Sequence, residues 1–341
     1  MREEAEEAAR RGIAFLARVQ GEDGEFPVFA STDPTLATGC TPDPSVFPTA
    51  LVTQCLAFCP GAAEPRRAGM AFLRREMDGL GLWHHWTHAH PYYRQLPPDL
   101  DDTSCASLAL AEAGQSFPEN RALLLANRNG DGLFYTWISP RLRWSGGRHL
   151  AVTLRQLAHA PTLWLFFRRT SAAPRDVDAV VNANALRYLG AFPGDEAVVA
   201  FLVGILEQDR ETACDKWYEN RFVLWYFFAR ALEGRSVRGS ALILAKLRSA
   251  EPCGALETAL AVCAELFCGS TPGEGRIAGL LALQGPDGAW PRGALYHGGR
   301  ARLRAGGGFA APHPDTPHWG SEALTTGFCL EALGRWIAIR Q

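Results

Sequence analysis

The chain has 341 residues, 47% of them hydrophobic, and a formal net charge of −2 at neutral pH. That length bounds the architecture to one large domain or two small ones, with ample apolar content for a sizeable core. The near-neutral balance lacks the basic footprint of a nucleic-acid-binding surface, and no apolar run approaches the roughly 20 residues a membrane span needs. The acidic amphipathic start, Met1-Arg2-Glu3-Glu4, is unlike a signal peptide, so a cytoplasmic protein is expected. Arginine far outnumbers lysine (Lys216 and Lys246 alone), and Ala, Gly and Pro abound, as in a GC-rich bacterial proteome. The nine cysteines are odd in number, scattered and without a CxxC pair, which reads as reduced core thiols.

Along the chain, two kinds of helical segment alternate. Residues 3–20, 64–77, 117–127, 194–208, 235–249 and 274–284 are amphipathic and charged. Residues 46–59, 101–114, 177–190, 219–232, 255–268 and 321–336 are apolar nearly all round and rich in Ala, Ser, Thr and Gly. A helix apolar on every face must be buried on every face, and small residues let helix backbones approach closely. No long period-2 alternation suggests strands. Six amphipathic–buried pairs predict an all-α fold, an (α/α)6 barrel of six inner and six outer helices over 1–341 as a single domain. The inner helices then run parallel, with their N-termini and positive dipole ends at one mouth. That mouth collects Ser45, Phe47, Asp99 to Asp102, Asp176, Asp178, Trp217 to Asn220, Glu257 and Trp319 to Glu322, and it favours anionic ligands. Two stretches break the rhythm. Segment 138–175 reads as one more helix covering the mouth, and 291–318 as a Gly/Pro/Arg-rich loop; both are candidate lids.

Several motifs resemble those of a known family. Arg11-Gly12, Phe15-Leu16, Gln20 and Asp23-Gly24-Glu25-Phe26 are similar to the Gln-Trp repeat of squalene–hopene and related class II terpene cyclases. Ala278 to Trp290 repeats the pattern, with degenerate copies at Gly69 to Trp83 and Asn127 to Phe134. In that family the repeat staples outer helices to their neighbours. Asp99-Leu100-Asp101-Asp102-Thr103 resembles the family's Asp-x-Asp-Asp-Thr signature. The resemblance implies that Asp101 is the general acid, tuned by Asp99 and Asp102, protonating an isoprenoid alkene or epoxide to start a carbocation cyclisation. Such a reaction needs no cofactor. Most members of the family have two rings with the chamber between them. This chain has length for one, so the chamber is expected in the bore of the ring, closed by the two lids or by a second copy in a homodimer. A shorter substrate, such as a C15 or C20 prenyl diphosphate, and peripheral membrane contact are also expected.

The chemistry demands a strong acid that is nevertheless protonated at neutral pH. Burial and like-charge neighbours raise a carboxyl pKa, while helix-end N–H groups lower it. Three carboxyls around one helix start can share protons, and a histidine bonded to the acid, from His84, His85, His88 or His90, would sharpen it. Aromatic faces stabilise cations; Trp83, Trp217, Tyr218, Trp225 and Trp319 are the candidates for lining the chamber, together with the polar Asp176, Asp178 and Asn182. Asp176 and Asp178 either face Asp101 or hold a magnesium–diphosphate group, and Arg94, Arg221 and Arg300 are candidate diphosphate partners. Two other readings remain open. The His84–His90 cluster, with Asp99 and with His313 and His318 in the second loop, suggests a metal-dependent prenyl-transfer or hydrolytic enzyme in the same mouth. A non-catalytic toroid binding a prenyl chain or a protein would use the same ring, with the acidic helix starts serving only as caps.

Overall fold

The structure is a computed structural model that describes residues 1–141, 146–303 and 309–340. In chain order its elements are α1 (Arg2–Val19), β1 (Phe29–Ser31), β2 (Thr41–Pro42), α2 (Val46–Cys55), α3 (Ala63–Arg75), α4 (Leu100–Glu112) and α5 (Arg121–Ala126). There follow α6 (Gly147–Ala158), α7 (Ala160–Arg169), α8 (Ala179–Leu189), α9 (Asp195–Glu207), α10 (Arg221–Leu232), α11 (Val237–Arg248), α12 (Gly254–Phe267) and α13 (Glu274–Ala282). β3 (Tyr296–His297), β4 (His318–Gly320) and α14 (Glu322–Ala338) complete the chain.

Packing closes a ring. Helix α2 packs on α4, α4 on α8, α8 on α10, α10 on α12, α12 on α14, and α14 returns to α2. These six are the segments that lack a polar face: every residue of α2 is buried, and so is α10 from Phe222 to Leu232. Small residues set the spacing. A Cβ on Gly327 of α14 would lie 3.1 Å from Val52 of α2, so these backbones meet across a glycine. Helices α1, α3, α5, α9, α11 and α13 each precede an inner helix and form the outer layer. In α1 the buried residues Ala5, Ala8, Gly12, Phe15 and Leu16 make one stripe, as the amphipathic period requires. The toroid is therefore six inner and six outer helices, as the alternation of segments predicts.

The repeated motifs fasten the layers. Gln20 donates through Nε2 to Gly24 O (2.9 Å) and Pro65 O (3.0 Å), tying the end of α1 to α3. Gln284 donates in the same way to Gly288 O and Ala8 O, both at 2.9 Å, tying α13 to α1 and closing the circle. Gly288 has φ +90°, and a Cβ there would sit 2.4 Å from Arg11 O, so only glycine fits. The backbone N–H of the aromatic residue in each copy reaches the adjacent inner helix: Phe26 to Thr49 Oγ1, Trp83 to Thr103 Oγ1, Phe134 to Asn182 Oδ1 and Trp290 to Thr326 Oγ1.

Three features differ from the sequence expectation. First, 138–175 forms two helices, α6 and α7, with residues 142–145 outside the described part. The break falls at His159–Ala160–Pro161, where proline suits a helix start and not its interior. Second, the four strands pair antiparallel in the order β2-β1-β4-β3. At two or three residues each they are too short to show alternation. Within 291–318 they organise part of the expected loop; residues 304–308 lie outside the described part. Third, the bore is filled by side chains from the inner helices, among them Tyr226, Phe227, Arg230, Phe328 and Glu331, all buried. No helix among the described residues is long and apolar enough to cross a membrane.

Candidate active site

The inner helices present their N-termini to one space, a cavity of about 450 Å³. Its floor is Phe47 of α2, Asp99, Asp101 and Asp102 at the start of α4, Val181 of α8 and Tyr218 just before α10. The small sheet contributes Ala30, Tyr296, His297 and Trp319, while the α6–α7 hairpin contributes Phe166 and, just after it, Thr170. Trp86, Trp137 and Trp217 complete an aromatic wall. The chamber therefore sits above the mouth and not in the bore, and both expected lid segments help to wall it. Its size falls within the roughly 300–1,000 Å³ common for small-molecule sites.

Asp99 caps α4: its Oδ1 accepts from the N–H groups of Asp101 (2.6 Å) and Asp102 (3.4 Å). That cap turns the next carboxyl into the chamber floor. Asp101 Oδ1 accepts from Asn184 Nδ2 and Oδ2 lies beside Tyr218 Oη, each at 2.6 Å. Asn184 is itself oriented by a cation, because Arg230 Nη2 donates to its Oδ1 (3.2 Å). A guanidinium only donates, so the amide oxygen must face Arg230 and the amide nitrogen must face Asp101. The buried polar chain continues from Arg230 Nη1 to Tyr226 Oη (3.3 Å), from Tyr226 to Glu331 (2.8 Å) and from Arg335 to Glu331 (2.8 Å).

Burial pushes the Asp101 carboxyl up from 3.8 to about 7, with Asp102 adding to the rise; Tyr218, Asn184 and Arg230 oppose it by stabilising the carboxylate. Asp99 is raised well above its ordinary value by burial and by the charges of Asp102 and Asp101. Asp102 has one oxygen without a partner and the other 3.7 Å from His85 Nδ1. Burial disfavours a charged His85, but Asp102, then Asp43 and Asp101, outweigh it and raise its pKa. His85 is thus the histidine at the acid cluster, beside Asp102 rather than Asp101. Asp43 fixes the opposite wall: its Oδ2 accepts from the indoles of Trp319 (2.6 Å) and Trp86 (3.2 Å).

The candidate side chains do not all meet here. Trp217, Tyr218 and Trp319 line the cavity, and Tyr296 stacks on Trp319 at 5.3 Å. Trp83 stands outside, its indole donating to Leu73 O (2.7 Å) as that of Trp290 does to Leu280 O (2.7 Å), so it staples an outer helix. Trp225 faces outward and donates to Glu211 (3.0 Å). Asn182 holds Phe134 through both its amide atoms. Asp176 is in a buried ion pair with Lys216 (2.6 Å). Asp178 accepts from Thr136, Trp217 Nε1 and Lys216 N–H, behind the cavity wall. Both carboxylates are thus engaged with protein donors. The four histidines of the cluster disperse: His84 to Leu96 O, His85 towards Asp102, His88 to Glu76 and His90 to Asp43. Among the described residues no three ligating side chains converge as a metal site.

Arg230, Tyr296, His297, Trp137 and Phe166 were not singled out as site residues by sequence, and Asn184 was noted only beside Asn182, as part of a buried polar run after Asp176 and Asp178. Asn182 and Asn184 lie two apart on α8 and so point to opposite sides; knowing which side faces the bore would have found Asn184.

No protein-family model matches the chain, and no curated protein does. Solved structures do. A protein from Actinoplanes is 20% identical, with 98% of this chain and 99% of that one covered at a TM-score of 0.63. A variant of the type II terpene cyclase MstE from Scytonema, in complex with its substrate geranylgeranyl dihydroxybenzoate, is 16% identical, with 99% of each chain covered at a TM-score of 0.67. Another MstE variant, in complex with the product merosterolic acid A, is 17% identical, with 99% of this chain and 98% of that one covered at a TM-score of 0.68. At these identities the likeness establishes the fold, which is that of a type II terpene cyclase toroid. It runs nearly the whole length of both chains.

The raised Asp101 carboxyl has a consequence for stability. Between pH 3.8 and about 7 the folded chain holds a proton that the unfolded chain has lost, so this group's contribution is complete below about pH 4 and is lost as pH rises through 7. Urea unfolding of the wild type and Asp101→Asn at pH 5 and pH 8 reads this directly. The variant should gain about 2–4 kcal/mol relative to the wild type between the two pH values; parallel pH dependences would contradict the assignment.

Proposed function

We propose that this chain, which shares a full-length fold with a type II terpene cyclase, is a class II terpene cyclase that protonates an isoprenoid alkene through Asp101. The observation that carries the reading is the environment of Asp101. Its carboxyl is buried beneath an apolar, aromatic chamber, which favours the neutral acid before reaction. Asn184, Tyr218 and Arg230 stand ready to stabilise the carboxylate after it. Because Asn184 can only donate to Oδ1, the transferable proton resides on Oδ2. Transfer of that proton to the terminal alkene carbon forms the new C–H bond and leaves a tertiary cation. The next alkene of the chain attacks that cation, and the cascade ends when a carbon-bound proton is lost. The faces of Trp86, Trp137, Trp217, Tyr296 and Trp319 stabilise the intermediate cations without offering them a nucleophile. No step requires a metal. MstE is described with geranylgeranyl dihydroxybenzoate as substrate, and a C20 isoprenoid joined to an aromatic acid is the substrate class we favour here, with prenyl diphosphates next.

The decisive assay incubates the protein with geranylgeranyl dihydroxybenzoate and separately with geranylgeranyl diphosphate, and analyses products by mass spectrometry. Cyclic isomers of unchanged mass are expected, with Asp101→Asn and Asp101→Ala reduced at least about 100-fold, the low end for removal of a general acid. Cyclisation that persists in both variants would overturn the role of Asp101.

An isoprenoid dissolved in lipid also needs a route to the chamber, and the α6–α7 hairpin is suited to provide it. Residues 138–175 contain seven arginines and no Asp, Glu or Lys. The inner side of α7 packs Phe166 and Phe167 on Trp137 beside the cavity. Leu150, Leu154, Leu157 and Trp164 stand outward, each 57–62% exposed. Exposed apolar side chains on an arginine-rich segment match an anionic bilayer surface. Sedimentation with phosphatidylglycerol-containing vesicles is expected, with binding lost in Leu154→Glu/Leu157→Glu and weakened by salt. Equal binding by wild type and variant, or a salt-stable dimer that buries Trp164, would contradict this.

A further inference from the structure

The hydrogen-bonded chain behind Asp101 runs down the bore of the ring. It starts in the first turn of α4 at Asp101 and passes Asn184 of α8, then Arg230 and Tyr226 of α10. It ends on α14 at Glu331 and at Arg335, which lies in the last turn of that helix. Only the upper half, Asn184 and Arg230, touches or backs the acid. Tyr226 and Glu331 are also buried, yet they contact neither the chamber nor Asp101.

The direction of each bond in this lower half follows from its donors. A guanidinium only donates, so Arg230 Nη1 donates to Tyr226 Oη (3.3 Å), and the single hydroxyl hydrogen of Tyr226 goes to Glu331 Oε2 (2.8 Å). Glu331 Oε1 accepts from Arg335 Nε (2.8 Å), and Cys55 Sγ lies 3.4 Å from Oε2. Arg335 is itself held over the rings of Phe58 and Phe267, 3.7 and 4.0 Å from their centroids. Arg230 therefore donates along two arms. Each arm has one neutral group between the cation and a carboxyl: Asn184 before Asp101, and Tyr226 before Glu331. Glu331 also has Arg335 beside it, so it balances only one of two guanidinium charges. The chain then carries one positive charge in excess while Asp101 keeps its proton, and none once the proton has left. In a buried site such an imbalance is felt across several ångströms.

We propose that Glu331, anchored by Arg335 and joined to Arg230 through Tyr226, is a positioning residue that sets how strongly Arg230 favours the Asp101 carboxylate. Glu331 and Asp101 compete for one cation from opposite sides. The catalytic consequence rests on the proposed cyclase reading. Without Arg230 the acid would be too weak to protonate an alkene; with Arg230 undivided it would be ionised before the substrate arrived. Arg230 is faced by Tyr226 on its own helix, Asp101 and Cys105 of α4, Asn184 of α8, Cys55 of α2 and Glu331 of α14. Glu331 is also faced by Cys59 and by Cys263 of α12. Around Asp101 stand Asp99, Asp102, His85, Asp215, Tyr218 and Tyr296. Burial raises the thiols and phenols among these groups, so they stay neutral where Asp101 titrates.

The test follows the titration of Asp101 in the full-length protein by NMR of carbon-13-labelled Asp carboxyls, its signal being the one lost in Asp101→Asn. Two charge removals should move the midpoint in opposite directions. Arg230→Gln should raise it by about one pH unit, because the carboxylate loses its cation. Glu331→Gln should lower it by on the order of half a unit, because Asp101 no longer shares that cation. Arg230→Lys, which keeps the charge, should raise it less than half as far as Arg230→Gln. Glu331→Gln/Arg335→Gln removes one anion and one cation and should return the midpoint to within about 0.2 unit of the wild type; it also covers the event that two unbalanced buried arginines prevent folding. Tyr226→Phe keeps every charge but cuts the arm, and should reduce the effect of Glu331→Gln by about half in a double-mutant cycle. Shifts of one sign in Arg230→Gln and Glu331→Gln would overturn the proposal, as would an unmoved midpoint in Glu331→Gln. The high-pH limb of cyclisation should follow the same midpoints. Midpoints that move as stated without any cyclisation defeat the cyclase reading alone. Asp101-dependent cyclisation with a midpoint indifferent to Glu331 defeats the role of Glu331 alone.

Discussion

The hydrogen bond from Asn184 to Asp101 joins two groups that would each be unfavourable by themselves: a carboxyl buried under an apolar chamber and a guanidinium buried in the bore. Asn184 spans them, accepting from Arg230 and donating to the acid. The ring exists around this contact. The three residues come from consecutive inner helices, α4, α8 and α10, which pack side by side with their starts towards the chamber. Burial favours the neutral Asp101 carboxyl while the fixed donors favour its carboxylate; on the proposed reading, the first holds the proton at rest and the second lowers the cost of its departure. A carboxyl in water has neither property. One in a dry apolar pocket would have only the first.

The fold supplies the remaining parts by the same economy of means. The glutamine and glycine of each terminal motif seal the outer layer to its neighbour, from α1 to α3 and from α13 to α1, so that the circle is closed by hydrogen bonds as well as by packing. Freed from closing the ring, the two irregular stretches are available to build the roof. The small sheet brings Tyr296 and Trp319 over the acid, and α7 brings Phe166 to the opposite side. Asp43 pins two indoles at once, fixing the shape of an aromatic wall that has little else to orient it.

Sequence made the toroid legible because burial on every face is a property of each inner helix alone, readable without its partners. The acid cluster was legible for a similar reason: Asp99 to Asp102 is local. What sequence could not supply was facing. Asn182 and Asn184 have the same chemistry, and only the rotation of α8 decides that the first holds Phe134 while the second holds Asp101. Trp83 and Trp217 are alike in composition, yet one staples an outer helix and the other lines the chamber. The strands that carry Tyr296, His297 and Trp319 are too short to leave a periodic trace, so half the roof was hidden in what reads as loop. The chamber was expected in the bore; bulky Tyr226, Phe227 and Arg230 fill the bore and move the space to its mouth.

Solvent-deuterium labelling tests the central claim most directly. If Asp101 exchanges its proton with water and then delivers it to carbon, a single turnover in D2O places one deuterium in the cyclic product, on the carbon that was the terminal alkene position, with the head group unchanged. Product free of deuterium, or label at a carbon other than the one that starts the cascade, would contradict initiation by a solvent-exchangeable acid.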